Sequence, residues 1–314
     1  MTRRTFIQNS IKAALLASAA GAVMRPSLAH PAANRPICVF SKHLHFLDYD
    51  ELGRTAADIG FDGIDLTVRP GGHVSPENVE RDLPRAVAAV DKAGLKVLML
   101  TTNIARVDEP TTEPILKTAG NLGIPFYRMA WIKYDLKKSI EMNLKEITAQ
   151  MTRLAELNAK YNVQGAYQNH AGDSFGSSEW DLWLVLKQIN SKWLGCQYDI
   201  RHATVEGANS WPLGLRLLAP YINTLDIKDC RWGQKNGKWL PMNTPLGEGM
   251  VDWGRYFALV KELAIDAPIS LFFEYPLGGA ENGNKEITID HRVVFQAMRK
   301  DLLFVREHLN KYDL

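Results

Sequence analysis

After about residue 35 the chain alternates between short apolar runs and amphipathic stretches with helical periodicity, and eight of each can be counted. The apolar runs are continuous, which is typical of parallel strands that are buried on both faces. They predict strands at 36–40, 64–68, 96–102, 126–131, 165–170, 193–200, 222–228 and 268–274. Eight strands that alternate with helices through right-handed crossovers can close into a (β/α)8 TIM barrel, and we predict that α/β fold.

The helical stretches are recognised by apolar residues at three- and four-residue spacing and by capping residues. They predict helices at 48–59, 75–94, 112–122, 136–161, 180–189, 212–218, 252–263 and 287–309, with a polar loop at 229–249. An open doubly wound sheet is the alternative, but no Gly-x-Gly-x-x-Gly turn follows the first strand. Because the pattern contains no low-complexity linker, we expect a single barrel domain over 36–311.

The amino-terminal segment has a different pattern. Arg3 and Arg4 precede an apolar, Ala-rich run at 11–24, and small residues end it at Ala29. This order predicts a twin-arginine-type signal peptide over 1–29 and export to the periplasm. An amphipathic first helix and a retained membrane anchor are the alternatives, although the run is shorter than the ~20 residues that span a bilayer.

Charge and cysteine content exclude several classes of protein. The whole chain carries a formal net charge of +2, and removal of residues 1–29 takes away four basic residues and no acid, which leaves −2. Such a chain is not expected to bind nucleic acid or an anionic membrane surface. The three cysteines, Cys38, Cys196 and Cys230, are too few for a disulfide framework or a cysteine-rich zinc site. We expect all three to be buried as small apolar side chains. A single disulfide bridge between two of them is the alternative.

Polar groups stand at the ends of four consecutive predicted strands. Gln168, Asp199, Asp226 and Glu274 would converge at the carboxyl mouth of a barrel and offer four oxygens to a divalent metal ion such as Mn²⁺, Co²⁺ or Mg²⁺. A single Asp at a strand end is more often a helix cap or part of an ion pair. Several acids at one mouth repel each other unless a cation lies among them, which favours the metal.

From about residue 37 to 308 the chain resembles the xylose-isomerase-like barrel superfamily of sugar isomerases and epimerases. The segments that carry the resemblance are GFDGIDL at 60–66, NH at 169–170, DIRH at 199–202, IKD at 227–229, LGEGMVDW at 246–253 and FE at 273–274. The resemblance implies a metal held by Glu, Asp, His and Glu, which Gln168, Asp199, Asp226 and Glu274 match. Two positions depart from this set, because Gln168 stands where the family has Glu and Asp226 stands where it usually has His. Gln168 replaces an acid that is thought to transfer a proton in the family, and an amide cannot accept that proton.

The resemblance implies a reaction in which a base removes the proton next to a sugar carbonyl and a metal stabilises the enediolate. Glu274 would be the base, and His170, His202 and Lys228 are candidate acids. Lys42, His43, Arg69, Arg128 and Trp131 are candidate contacts for a small carbohydrate substrate. Isomerisation or epimerisation is the first expectation. Lyase cleavage of 3-keto-glycosides by β-elimination and a non-catalytic sugar-binding barrel are the alternatives, and the sequence leaves the oligomeric state open.

Overall fold

The computed structural model describes residues 35–314, so the predicted signal peptide lies outside the described residues. Eight parallel strands form a closed barrel in which the first and last strands pair through Ile37 and Ile269. The predicted TIM barrel and its single domain are confirmed. The barrel strands are β1 Ile37–Phe40, β2 Gly63–Val68, β3 Lys96–Thr102, β4 Phe126–Arg128, β5 Gln164–Gln168, β6 Leu194–Asp199, β7 Ile222–Ile227 and, after a hairpin of two further strands, β10 Ile269–Leu271.

The helices surround the barrel and cover the apolar outer faces of its strands. They are α1 Tyr49–Ile59, α2 Val79–Lys92, α3 Thr112–Asn121, α4 Ile140–Tyr161, α5 Glu179–Ile189, α6 Ile200–Gly207, α7 Trp211–Leu218, α8 Trp253–Glu262 and α9 His291–Tyr312. Their ends follow local chemistry. Asp48 and Glu51 form a capping box on α1, and Gly60 ends that helix at φ 106°, where a side chain would be strained. Across residues 35–314, no helix is long and apolar enough to cross a membrane.

The segment predicted as a polar loop forms an antiparallel hairpin. Strands β8 Asp229–Lys235 and β9 Lys238–Thr244 pair around Asn236 and Gly237, both of which have positive φ. An Asn-Gly pair is the preferred sequence for a two-residue hairpin turn, because both positions require that conformation. The hairpin extends from the carboxyl end of β7 and leaves Trp232 and Trp239 exposed.

Asp229 fixes the base of this hairpin. Its buried carboxylate accepts hydrogen bonds from the backbone N–H groups of Cys230, Gly247, Gly249 and Val251 and from the indole of a nearby tryptophan. A carboxylate that accepts several N–H donors holds them firmly, because each hydrogen bond is charge-assisted. Asp229 therefore holds three of the backbone N–H groups of the 245–251 turn.

The other differences from prediction are shifted ends of elements and one additional short helix. Strand β5 stops at Gln168 rather than 170, and the long helix α4 begins after its cap Ser139 rather than at 136. The short helix α6 was not predicted; it begins immediately after Asp199, whose side chain caps it. Cys38, Cys196 and Cys230 are buried and free, as expected for small apolar side chains.

Candidate active site at the carboxyl mouth of the barrel

The predicted acids meet at the carboxyl ends of neighbouring strands. The β6–β7 register sets Asp199 beside Asp226, and the β5–β6 register sets Gln168 beside Gln197. Glu274 lies just beyond the last barrel strand and reaches the same mouth through its ion pairs. Asp199 and Asp226 are fully buried, whereas the Glu274 side chain keeps 23% of its exposure.

The orientation of the Gln168 amide decides whether it can bind a metal. Arg128 Nη1 donates to Gln168 Oε1 at 2.9 Å, and a guanidinium can only donate, so the atom that faces it must be the oxygen. The amide nitrogen then faces the acids and donates to Asp199 Oδ2 at 2.9 Å and to Asp226 Oδ2. Gln168 therefore presents hydrogens, not a lone pair, to the centre of the site.

Both carboxyl oxygens of Asp226 accept a hydrogen bond from an amide side chain. Gln197 donates to Oδ1 and Gln168 donates to Oδ2. Burial raises the pKa of Asp226 well above its ordinary value, and the neighbouring Asp199 raises it further. The carboxyl group of Asp226 is thus held in an environment that favours its protonated form.

A buried ammonium group lies between the other two acids. Lys228 Nζ is 3.1 Å from Asp199 Oδ2 and 3.1 Å from Glu274 Oε2, and Lys42 Nζ donates to Glu274 Oε1 at 2.9 Å. Burial would lower the pKa of Lys228, but the two carboxylates outweigh it and raise the pKa. Burial would likewise raise the pKa of Glu274, but Lys228 and Lys42 bring it well below its usual range. Lys228 and Glu274 are consequently both charged at neutral pH.

This arrangement does not fit a divalent metal ion. Such an ion needs several oxygen lone pairs around one point, and here Gln168 and Lys228 fill that point with N–H donors. Within residues 35–314, no three His, Cys, Asp or Glu side chains gather in a way that could hold a metal. The predicted set of Gln168, Asp199, Asp226 and Glu274 is brought together, but as a hydrogen-bonded network centred on an ammonium group.

Two histidines and a tryptophan form a stack on one side of the mouth. The ring centroids of Trp131 and His170 are 4.2 Å apart, and those of His170 and His202 are 3.9 Å apart. Burial lowers the pKa of His170 to about 4 and holds the pKa of His202 well below its usual value. Both imidazoles are therefore neutral at neutral pH.

The tautomer of each histidine follows from its partners. His170 Nδ1 lies 2.9 Å from the carbonyl oxygen of Ala171, which can only accept, so Nδ1 carries the proton and Nε2 keeps a lone pair. Among the described residues no hydrogen-bond partner satisfies that Nε2. In His202, Nδ1 accepts from Arg201 Nη1 at 3.0 Å, so Nε2 carries the proton and lies 3.5 Å from Asp199 Oδ2. His170 is thus the histidine with a free acceptor.

Three of the predicted substrate contacts lie around one aromatic ring at the mouth, and His43 lies apart from them. Lys42, Arg69 and Arg128 converge on the ring of Phe40, with their cationic centres 5.9, 5.5 and 6.0 Å from its centroid. His43 does not meet the expectation. It is fully buried, its Nδ1 bonds to the carbonyl of Ala280 and its Nε2 accepts from a backbone N–H, so it holds loops together.

Two residues of the network were not singled out from the sequence. Gln197 lies two residues before Asp199 on the same face of β6, and that period-two spacing was a usable signal. Arg201 is buried behind His202, and it also bonds to the carbonyl of Pro241 in the hairpin. Nothing in its local pattern distinguishes Arg201 from a surface arginine.

Comparisons with known proteins agree with the fold. A sequence model described as a xylose isomerase-like TIM barrel matches residues 54–292. No match was found among curated protein sequences.

Solved structures of similar architecture include a zinc-binding protein, a sugar epimerase and a probable dehydratase. An IOLI protein with a bound zinc atom has a TM-score of 0.68 at 17% identity and covers 88% of this chain and 99% of its own. D-psicose 3-epimerase from Clostridium cellulolyticum H10, solved with D-tagatose, has 0.65 at 12% identity, covering 87% and 99%. A probable 3-DHS dehydratase from Bacillus anthracis has 0.64 at 16%, covering 86% and 98%. At these identities the likeness establishes the fold.

Proposed function

Because the chain belongs to the xylose isomerase-like TIM barrel family, we propose that it is an enzyme that removes the proton next to a carbonyl group of a carbohydrate. The observation that carries this proposal is the buried ammonium of Lys228, held between Asp199 and Glu274 beside a histidine with a free lone pair. An enolate needs a positive group at its oxygen and a base at its carbon, and this pair of side chains supplies both.

In the proposed reaction Lys228 donates a hydrogen bond to the substrate carbonyl oxygen. His170 Nε2 accepts the proton from the neighbouring carbon, so the C–H bond breaks, an N–H bond forms and the electron pair moves onto the carbonyl oxygen as an enolate. Glu274 and Asp199 keep Lys228 protonated and in place. The sequence suggested Glu274 as the base, but Lys42 and Lys228 occupy both of its oxygens, whereas His170 Nε2 keeps a lone pair, so we assign Glu274 to positioning.

A divalent metal has no part in these steps, because the point between the acids is already filled by N–H donors. The two solved structures that contain zinc or a sugar describe those proteins, not this one. Protonation of the enolate on its other face or on the adjacent carbon would give an epimer or an isomer.

A second candidate is β-elimination from a 3-keto-glycoside, and the Gln168 amide favours it. Epimerisation and isomerisation profit from two symmetric bases, and an amide cannot serve as the second. Elimination needs one base and one acid that protonates the leaving group. His170 and the protonated Lys42 offer that asymmetry.

The proposal is tested by solvent deuterium exchange on a panel of ketoses and 3-keto-glycosides, with the protein treated with a chelator. We expect deuterium at the carbon next to the carbonyl, and a rate about 10²–10⁴-fold lower in His170→Gln. His308→Gln, at the far end of α9, is the matched control and should keep the rate. A mass-neutral product indicates isomerisation or epimerisation, and a released second sugar or aglycone indicates elimination.

Absence of exchange with every substrate, together with sugar binding in calorimetry, would leave a non-catalytic binding barrel instead. Exchange that disappears on chelation and returns with Mn²⁺ would refute the metal-free mechanism. Exchange that persists unchanged in His170→Gln would refute the assignment of the base.

We also propose that residues 1–29 direct export by the twin-arginine route. Paired arginines, an apolar run and a small-residue end support this. Replacing Arg3 and Arg4 by lysine should keep the protein in the cytoplasmic fraction, whereas an unchanged periplasmic fraction would contradict the assignment.

A further inference from the structure

We propose that the substrate is an acidic carbohydrate whose oxoacid group binds between Arg69 and Arg128. This inference rests on the proposed function, since it concerns the same barrel mouth. It assigns the substrate class that the family membership leaves open.

Within the described part of the chain, the two guanidinium groups at the mouth have no carboxylate in an ion pair with them, unlike the two lysines. Lys42 and Lys228 each pair with a carboxylate. Among residues 35–314, neither Arg69 nor Arg128 forms an ion pair. Arg128 is 5% exposed, its Nη1 donates to the Gln168 amide, and its Nε has no hydrogen-bond partner. Asp226, Asp65, Glu274 and Asp199 act on Arg128 electrostatically, but none of them forms an ion pair with it, so a bound anion would add a direct, charge-assisted partner there.

The two arginines lie around the same aromatic ring. The guanidinium carbons of Arg69 and Arg128 lie 5.5 and 6.0 Å from the centroid of the same Phe40 ring, and Arg128 also lies 4.9 Å from the Trp131 ring. Contact with these rings limits where the guanidinium groups can lie. A fixed planar fork matches a carboxylate or phosphate with two parallel hydrogen bonds.

The two arginines also disfavour each other's charge. Burial, and after it the like charge of Arg128, lowers the pKa of Arg69 to about 10. Asp65 and Glu274 partly offset this shift, but Glu274 is shared by two lysines and Asp65 accepts from Thr101 and Ser270, so neither carboxylate pairs directly with Arg69. An anion that bridges the two arginines would satisfy both of them. The same arrangement repels a divalent cation.

Binding is measured by calorimetry on the full protein with D-glucuronate, D-glucose 6-phosphate and D-glucose as probes. We expect at least one anionic probe to bind about tenfold or more tightly than D-glucose, and Arg69→Gln to remove most of that preference. Arg69→Lys should keep part of it, because the charge remains and the fork is lost. Arg81→Gln, on the exposed face of α2, is the matched control and should retain the full preference.

Preference for D-glucuronate assigns a carboxylate to the site, and preference for D-glucose 6-phosphate assigns a phosphate ester. D-glucose binding as tightly as both anions, no binding of either anion, or an anion preference that survives in Arg69→Gln would overturn the inference. Binding is read without turnover, so the outcomes are separable. Deuterium exchange without anion preference removes only this inference, and anion preference without exchange removes the proposed reaction.

Discussion

Replacement of Lys228 by methionine is the most direct test of the network at the barrel mouth. Methionine retains an unbranched apolar stem next to Phe272, over whose ring the ammonium now lies at 4.9 Å. Only the charge and its hydrogen bonds are removed. Asp199, which is fully buried, then loses its one ammonium partner, whereas Glu274 keeps Lys42.

The expected loss follows from this difference between the two acids. Removal of one partner of a buried ion pair costs about 3–5 kcal/mol, because the other charge is left without compensation. Glu274 is partly exposed and still paired, so the cost arises at Asp199 and we expect about 3 kcal/mol at neutral pH. For a chain of this size the melting temperature should fall by about 5 °C.

The pH dependence gives the prediction its sign. Burial raises the pKa of Asp199, and Lys228 partly offsets that shift, so removal of Lys228 raises the pKa further. A carboxyl group whose pKa is raised on folding costs stability above that pKa, and the cost disappears as the pH falls. The raised pKa of Lys228 means that its own contribution persists until the pH rises above the ordinary lysine range. The difference between variant and wild type should thus shrink from about pH 8 to about pH 5.

Urea unfolding at both pH values checks this, with Lys300→Met as the control. Lys300 forms an exposed ion pair with Glu248, which should contribute no more than about 1 kcal/mol. If Lys228→Met unfolds at the same urea concentration as wild type, or if its loss is equal at both pH values, Asp199 does not depend on the ammonium and the network argument fails.

Three further predictions concern other groups. Gln168→Glu would bring a third acid to Asp199 and Asp226, so we expect the variant to lose thermal stability at neutral pH and to regain it with Mn²⁺. The wild-type melting temperature should respond to neither Mn²⁺ nor chelator, and a wild-type response would contradict this. Asp229→Asn places an NH₂ group against N–H donors, so the free energy of unfolding measured in urea should fall by about 2 kcal/mol or more. An unchanged midpoint of urea unfolding would refute the anchoring role. Burial raises the pKa of Glu179 to about 7, so this carboxyl group should lower stability by about 3 kcal/mol as the pH rises from about 4.5 to 7. Glu179→Gln should flatten that decline in melts across the range, and an unaltered slope would assign it elsewhere.

Hydrophobic periodicity sufficed to predict the barrel, because buried parallel strands and amphipathic helices impose different spacings on the same chain. It also placed Gln168, Asp199 and Asp226 at strand ends, where parallel strands must bring them together. The hairpin at 229–244 was missed although Asn236 and Gly237 carried its signal, because its exposed strands lack an apolar run.

The internal organisation of the site could not be predicted in the same way. Whether Gln168 offers its oxygen or its N–H depends on Arg128, which lies 40 residues away in sequence. The position of the Lys228 ammonium depends on Asp199 and on Glu274, which come from different strands. Sequence spacing along one strand carries no information about such contacts, so the residue types suggested a metal where the geometry shows an ammonium group.

The pairing of β1 with β10 has a consequence for biosynthesis. Until residues 269–271 have been made, the strand edges of both β1 and β7 remain unpaired, and such edges can join those of other chains. Lys42 meets Glu274 across the same seam, 232 residues apart. A nascent chain therefore has an incomplete barrel mouth and is prone to aggregation until residues 269–274 have emerged from the ribosome, and the pairing that protects it is the one that assembles the mouth.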